Sequence, residues 1–236
     1  MSNPRIYIRP EDIDTIIDIK DINVVHKTKN VLRLKINDKI SIFDGKGKEF
    51  LYNVEIIKKD IITVKKEKLL KEHPMCKNRI TLGFPLVKEE KISIILQKST
   101  ELGVHEFIPF VCQRSLKDEP SSKKKNRWDR IICEAARQSQ RLWVPRIKGL
   151  VSFKDIVKFD YKLKLAASIN GKTVGNYVND DSCEILILVG PEGDFACSEY
   201  KLLEENCFKF IKLGANILRV ETACIFSAGL VQYLIN

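Results

Sequence analysis

Residues 185–195 read Ile185-Leu186-Ile187-Leu188-Val189-Gly190-Pro191-Glu192-Gly193-Asp194-Phe195. Five successive aliphatic residues describe a short strand buried on both sides, and the two glycines and the proline that follow end it in a tight, rigid turn with exposed backbone N–H groups. Such a turn suits a planar, polar ligand gripped through the main chain. In an open α/β sheet, ligands bind beyond the carboxyl ends of the strands, so this turn is where chemistry is expected if the surrounding chain builds such a sheet.

The surrounding chain has that character. Downstream come a helix over 198–206, a strand over 208–213 and a helix over 222–234. Upstream lie strands at 79–84, 107–111 and 163–167, with helices over 88–102 and 124–140. In the first helix Ile92, Ile95, Leu96, Ser99 and Leu102 recur at three- and four-residue spacing, and Gly103 stands where a left-handed C-cap is wanted. Alternation of strands and helices predicts an α/β domain with a mainly parallel sheet. A second segment at a strand end is Leu213-Gly214-Ala215-Asn216-Ile217-Leu218-Arg219-Val220-Glu221-Thr222-Ala223, which carries an arginine and a glutamate into the last helix.

The first seventy or so residues differ. Short β segments at 5–8, 31–34, 39–43, 49–57 and 61–67 are separated by turns, and Asp44-Gly45-Lys46-Gly47 is a hairpin signal because glycine supplies positive φ cheaply. They predict a small β-barrel. The polar, aperiodic segment 68–78 marks the boundary, giving one domain over 1–72 and a second over 73–236.

The formal charge is +10, and residues 114–148 supply +7 of it, with eleven Lys or Arg against four acids. Arginines recurring through a helix, with Trp128 and Trp143 beside them, offer phosphate-binding forks and stacking surfaces, which suits a nucleic-acid partner. Cysteines 76, 112, 133, 183, 197, 207 and 224 include no C-x-x-C pair, and three histidines without H-x-x-x-H spacing leave a metal site unsupported, so no metal is expected. No apolar run is long enough to cross a bilayer and no signal-peptide pattern opens the chain, so a cytoplasmic protein without membrane contact is expected. Neither G-x-G-x-x-G nor G-x-x-x-x-G-K-[ST] is present, which argues against dinucleotide and triphosphate enzymes.

Together the Gly190-Pro191-Glu192-Gly193 turn and the Leu213–Ala223 segment resemble the knotted SPOUT superfamily of methyltransferases. Within it the chain is most similar to the ribosomal small-subunit RNA uridine-N3 methyltransferase family, RsmE. Gln97–Val104 looks like that family's first α/β unit, Arg127-Trp128 with Glu134–Arg141 and Pro145 like its basic helix, and Val31-Leu32-Arg33 with Asn37-Asp38 like part of its PUA-like domain. Asp194 stands where the family usually has a second glycine. Aspartate is among the less costly residues at positive φ, so a working turn is expected.

The resemblance implies a trefoil-knotted C-terminal domain that binds S-adenosyl-L-methionine and acts as a homodimer on 16S rRNA of the small ribosomal subunit. Leu213, Gly214, Ile217 and Leu218 would face the adenine, Gly190, Pro191, Glu192 and Gly193 the sugar and tail, and Ala167 and Ser168 the third side, with Arg219 adjoining. Arg219 and Glu221 are the implied catalytic pair, and Arg33, Arg114, Arg127, Gln138 and Arg141 the implied RNA contacts. Alternatives are another SPOUT reaction, at a 2′-O-ribose or a guanine N1, and an inactive RNA-binding assembly factor.

Overall fold

A computed structural model describes residues 3–178 and 184–235; Cys183 lies outside the described residues. The chain divides into two compact units, one formed by 1–75 with 136–144, the other by 76–135 with 145–236. Among the described residues no helix is long and apolar enough to cross a membrane.

The first unit holds β1 (Arg5–Tyr7), β2 (Ile16–Ile19), α1 (Ile22–His26), β3 (Lys39–Phe43), β4 (Lys48–Ile57) and β5 (Ile62–Glu72). The strands form one mixed sheet in the order β1-β3-β4-β5-β2, parallel between β1 and β3 and antiparallel elsewhere. Alternation drives it: Ile40, Ile42, Tyr52, Val54, Ile62 and Val64 are fully buried and pack with Ile6, Ile17 and Ile19. The hairpin turn expected at 44–47 joins β3 to β4. Asp44 Oδ1 accepts the N–H groups of Lys46 at 2.7 Å and Lys48 at 3.0 Å, and Gly47 sits at φ 106° with its α-carbon so close to the His73 carbonyl that a Cβ would lie 2.4 Å from that oxygen.

Three details depart from the sequence reading. Ile16–Ile19 forms a strand that was not anticipated. Residues 31–34, expected as a strand, are instead the end of a π-helical turn over Lys27–Val31 and the three residues after it, and Arg33 adopts φ 52°, which no strand accommodates. β5 runs on to Glu72, so five residues of the expected linker are extended, four of them paired with β4 and Leu70 at a shift in register.

The second unit contains β6 (Arg79–Pro85), α2 (Glu89–Glu101), β7 (Glu106–Val111), α3 (Ser122–Gln138), β8 (Arg146–Ile147), β9 (Val151–Ser152), α4 (Phe153–Ile156), β10 (Leu163–Lys172), β11 (Glu184–Leu188), α5 (Cys197–Glu205), β12 (Lys209–Ile211) and α6 (Val220–Leu234). The last turn of α3, from Ala136, belongs to the first unit. The sheet order is β12-β10-β11-β6-β7-β8 with β9 also on β7, and every pairing is parallel, as the alternation of elements predicts. Ile185, Leu186, Ile187 and Leu188 are fully buried, which explains the unbroken apolar run that a two-sided parallel strand requires. Gly103 closes α2 at φ 98°, the left-handed cap its position calls for.

Trp128 is not a stacking surface. It is 2% exposed, its indole N–H donates to Glu89 Oε1 at 2.7 Å, and its ring meets Phe84 edge-on at 6.4 Å. Trp143, in the first unit, is half-buried and donates to the His73 carbonyl at 3.1 Å. Trp128 therefore anchors packing rather than presenting a face to a partner, and Trp143 packs beside Phe43 and Leu142.

Candidate active site

β10 lies between β11 and β12, so the three segments that leave their carboxyl ends are neighbours: residues after Ala167 on β10, the turn 190–195 after β11, and the connection 212–219 between β12 and α6. Parallel pairing makes this convergence unavoidable, because neighbouring strands all end on the same side.

The turn after β11 is built from backbone necessities. Gly190 is buried, and a Cβ there would stand 3.2 Å from Asp194 Oδ1 and 3.3 Å from the Phe195 ring. The Asp194 N–H donates to the Pro191 carbonyl at 2.9 Å, closing the turn. Asp194 occupies φ 60°, the left-handed conformation expected for it, and its Oδ1 accepts the Phe195 N–H at 2.8 Å. Phe195 is buried among Phe110, Phe153 and Tyr200, pinning the end of the turn. Glu199, in the first turn of α5, accepts the N–H groups of Ala196 at 2.9 Å and Gln113 at 2.7 Å. Its charge thus meets the positive end of a helix. Arg114 donates from its guanidinium to the Gly193 carbonyl.

The connection into α6 is more open. Gly214 has no heavy atom within 4 Å of where a Cβ would stand, Leu213 and Leu218 are half-buried, and Ile217 is 85% exposed. A large aliphatic side chain left to water beside open space is a surface that a flat apolar ring can cover. Arg219 is the exposed N-cap residue of α6 and Glu221 lies in its first turn. Glu221 Oε2 is buried without a hydrogen-bond partner, 3.6 Å from the ammonium of Lys91. These features fit a ligand with an apolar ring at one end and polar, donor-bearing groups at the other.

Lys91, on α2, also pairs with the exposed Glu192. Its hydrogen bond holds the Glu192 carboxyl below the usual carboxylate range, with Lys88 and Arg219 adding to the effect, while Glu192 and Glu221 together raise the Lys91 ammonium. Ala167 and Ser168 are half-buried at the irregular end of β10, where the pairing with β12 shifts register. Tyr200 reaches Ser168 Oγ at 3.3 Å and Asp194 Oδ2 at 2.8 Å.

Of the residues singled out for RNA, Arg114 and Arg127 fall in the second unit, Arg127 exposed and 3.4 Å from Ser93 Oγ. Arg33, Gln138 and Arg141 belong to the first, Arg33 and Gln138 exposed and Arg141 half-buried. There the end of α3 is held by Arg5, whose guanidinium donates to the carbonyls of Ala136 (3.2 Å), Arg137 (3.0 Å) and Arg141 (2.8 Å), pairs with buried Glu49 at 3.2 Å, and lies 3.7 Å from the centre of the Phe43 ring. Lys91, Tyr200 and Arg5 were not anticipated from sequence. Each has a partner dozens of residues away, which no local pattern marks. Among the described residues no group of three or more His, Cys, Asp or Glu side chains could hold a metal ion.

Comparison with known proteins agrees with this layout. Residues 74–232 match the model of an RNA methyltransferase domain, and residues 29–67 that of an RNA methyltransferase PUA domain. The chain is 34% identical to ribosomal RNA small subunit methyltransferase E of Rickettsia conorii, covering 99% of this chain and 97% of the relative, and 32% identical to that of Bacillus subtilis over 89% and 87%. Among solved structures it resembles ribosomal RNA small subunit methyltransferase E from Neisseria gonorrhoeae bound to S-adenosyl methionine, with TM-score 0.88, 29% identity and 99% and 98% of the two chains covered. A methyltransferase from Legionella pneumophila in complex with the same cofactor gives TM-score 0.91 at 27% identity over 99% and 98%. On these matches the chain belongs to the family of ribosomal RNA small subunit methyltransferase E, a SPOUT-type family.

Proposed function

We propose that this protein transfers the methyl group of S-adenosyl-L-methionine to N3 of a specific uridine in 16S rRNA of the small ribosomal subunit. The observation that carries the reading is the convergence of residues 167–168, 190–193 and 213–218 at the carboxyl ends of three neighbouring parallel strands, in a chain whose relatives of this name align along nearly its whole length. Leu213, Ile217 and Leu218 supply an apolar wall for the adenine, and the turn 190–193 and Ser168 supply polar contacts for the rest. The cofactor, when bound, supplies a methyl group made electrophilic by a sulfonium.

The residues of the chain do the remainder. N3 of uridine carries a weakly acidic proton, so the base reacts as its anion, and a fixed cation beside a base oxygen stabilises that anion as it forms. Arg219 has that role: it is exposed at the N-cap of α6 and its charge is felt by Glu192. Glu221, paired with Lys91, holds the first turn of α6 in register with the turn after β11 and does not neutralise Arg219. The first unit contacts RNA through Arg33, Gln138 and Arg141, and the second through Arg114 and Arg127, each drawing on the excess positive charge. The protein works in the cytoplasm as a homodimer, and the exposed Phe226 and Tyr233 of α6 support pairing through that helix.

The test is methyl transfer from labelled S-adenosylmethionine to small ribosomal subunits and to naked ribosomal RNA, followed by reverse transcription. Methylation at N3 blocks base pairing, so a single stop at a uridine is expected. Incorporation without a stop would indicate a ribose target, and a stop at guanine a guanine-N1 enzyme. No incorporation into either substrate would mean an assembly factor without catalysis.

A further inference from the structure

The two half-buried walls of the candidate site, the end of β10 and the turn after β11, are joined by one phenol. Tyr200 on α5 places its hydroxyl 2.8 Å from Asp194 Oδ2 and 3.3 Å from Ser168 Oγ. A phenol has one proton to donate. The shorter contact, to a charged acceptor, takes it, so Tyr200 donates to Asp194 and accepts from the Ser168 hydroxyl. The direction of this chain is fixed by its far end, because a carboxylate only accepts.

Each member is held in place independently. Asp194 is locked at φ 60° with Oδ1 engaged by the Phe195 N–H, which leaves Oδ2 for Tyr200. The Tyr200 ring sits edge-on to Phe195 at 5.8 Å and beside Phe210 at 5.5 Å. Burial, with Asp194 adding to it, pushes the Tyr200 hydroxyl up to about 12, so it stays protonated at neutral pH. Ser168 Oγ additionally accepts the Asn170 N–H at 3.4 Å. With the Ser168 proton committed to Tyr200, its oxygen has acceptor capacity left and no donor to offer.

We infer that Tyr200 is a positioning residue for cofactor binding, which through Asp194 and Ser168 fixes Ser168 as an acceptor, so that this wall takes a ligand group that donates: an ammonium or a sugar hydroxyl. The inference rests on the S-adenosylmethionine reading, since that molecule carries both groups. It also gives the aspartate in the turn a role, as the terminal acceptor of the chain.

The experiment is calorimetric titration of the full-length protein with S-adenosylmethionine, using wild type, Tyr200→Phe, Asp194→Gly and the double variant. Tyr200→Phe keeps the ring and its packing, so the melting temperature without ligand should hold within a few degrees. Each single variant is expected to weaken binding about five-fold, the effect of one lost hydrogen bond, and the double variant to bind no more weakly than the weaker single one, because both break one chain. Repeating the titrations with 5′-methylthioadenosine, which lacks the amino-acid tail, identifies the donor. Loss of the Tyr200→Phe effect with that ligand points to the ammonium, and its persistence to a ribose hydroxyl; either supports the inference. Wild-type affinity in Tyr200→Phe, or additive losses in the double variant, overturns it while leaving the cofactor reading intact. Failure of the wild type to bind S-adenosylmethionine removes the cofactor reading itself.

Discussion

The ammonium of Lys91 stands 3.6 Å from Glu221 Oε2 and is also paired with Glu192, so a single cation on α2 ties the turn after β11 to the first turn of α6. Lys91→Met leaves two carboxylates facing each other across the site. The expected result is a rise of about five-fold in KM for S-adenosylmethionine with a fall in melting temperature that comes from Glu221, whose buried Oε2 loses its cation, and not from the exposed Glu192. An unchanged KM would mean that the two segments hold their positions without the clamp.

Arg219→Ala should lower kcat by about a hundred-fold or more, the range found when a preorganised donor to developing negative charge is removed. Thermal stability should stay near wild type, because the side chain is exposed, and calorimetric affinity for S-adenosylmethionine should change far less than kcat, because the arginine is assigned to the uridine. Arg219→Lys should recover part of the loss. Undiminished turnover in Arg219→Ala would remove the arginine from the mechanism.

Arg5→Ala removes one donor from each of three carbonyls at the end of α3 and leaves Glu49, 7% exposed at its side chain, without its cation. Stranding one partner of a buried pair costs about 3 kcal/mol or more. Urea denaturation should show that loss, and RNA affinity should fall while S-adenosylmethionine affinity does not. Equal loss of both affinities would show that Arg5 serves the whole chain rather than the end of α3.

Alkaline titration should report the buried tyrosines: Tyr161 is raised by burial, and Tyr52 and Tyr200 are raised furthest. Burial raises Tyr52 and Tyr200 to about 12 in the folded protein, against 10 for an ordinary tyrosine. A raised folded value means that the associated stability is whole below about pH 10 and is lost as the pH climbs towards 12. Phenolate absorbance should therefore show late ionisation of these two groups, and Tyr200→Phe should flatten the alkaline fall of the melting temperature. A Tyr200→Phe curve that runs parallel to wild type up to pH 12 would contradict the burial of that hydroxyl.

Much of this could be read from local pattern. The aliphatic run 185–189 and the spacing of Ile92, Ile95, Leu96 and Ser99 report burial directly, and burial is what builds the parallel sheet and packs α2 on it. Gly103 and Asp194 announce positive φ by residue type, and both adopt it. What escaped reading is what depends on distant partners. Ile16–Ile19 is a strand because β5 pairs with it, although its own stretch is broken by aspartates. Leu32 and Leu34 look like strand residues, yet Arg33 between them turns left-handed. Trp128 in a basic helix suggests a stacking face, and only the position of Glu89 reveals that the indole is held inward. Lys91 and Tyr200 are ordinary helix residues until the sheet order brings Glu221 and Ser168 to them.

The discontinuity of the first unit carries a consequence for biosynthesis. Its sheet is finished by residue 72, but the segment 136–144 that Arg5 and Gly47 hold is translated only after all of 76–135 has emerged. At about 5–20 residues per second the unit waits several seconds for its last piece. Throughout that interval the guanidinium of Arg5 and the face of Phe43 have no helix end to receive. The nascent sheet is open to chaperones and to premature contacts until residue 144, about three fifths of the way along these 236 residues, has been added.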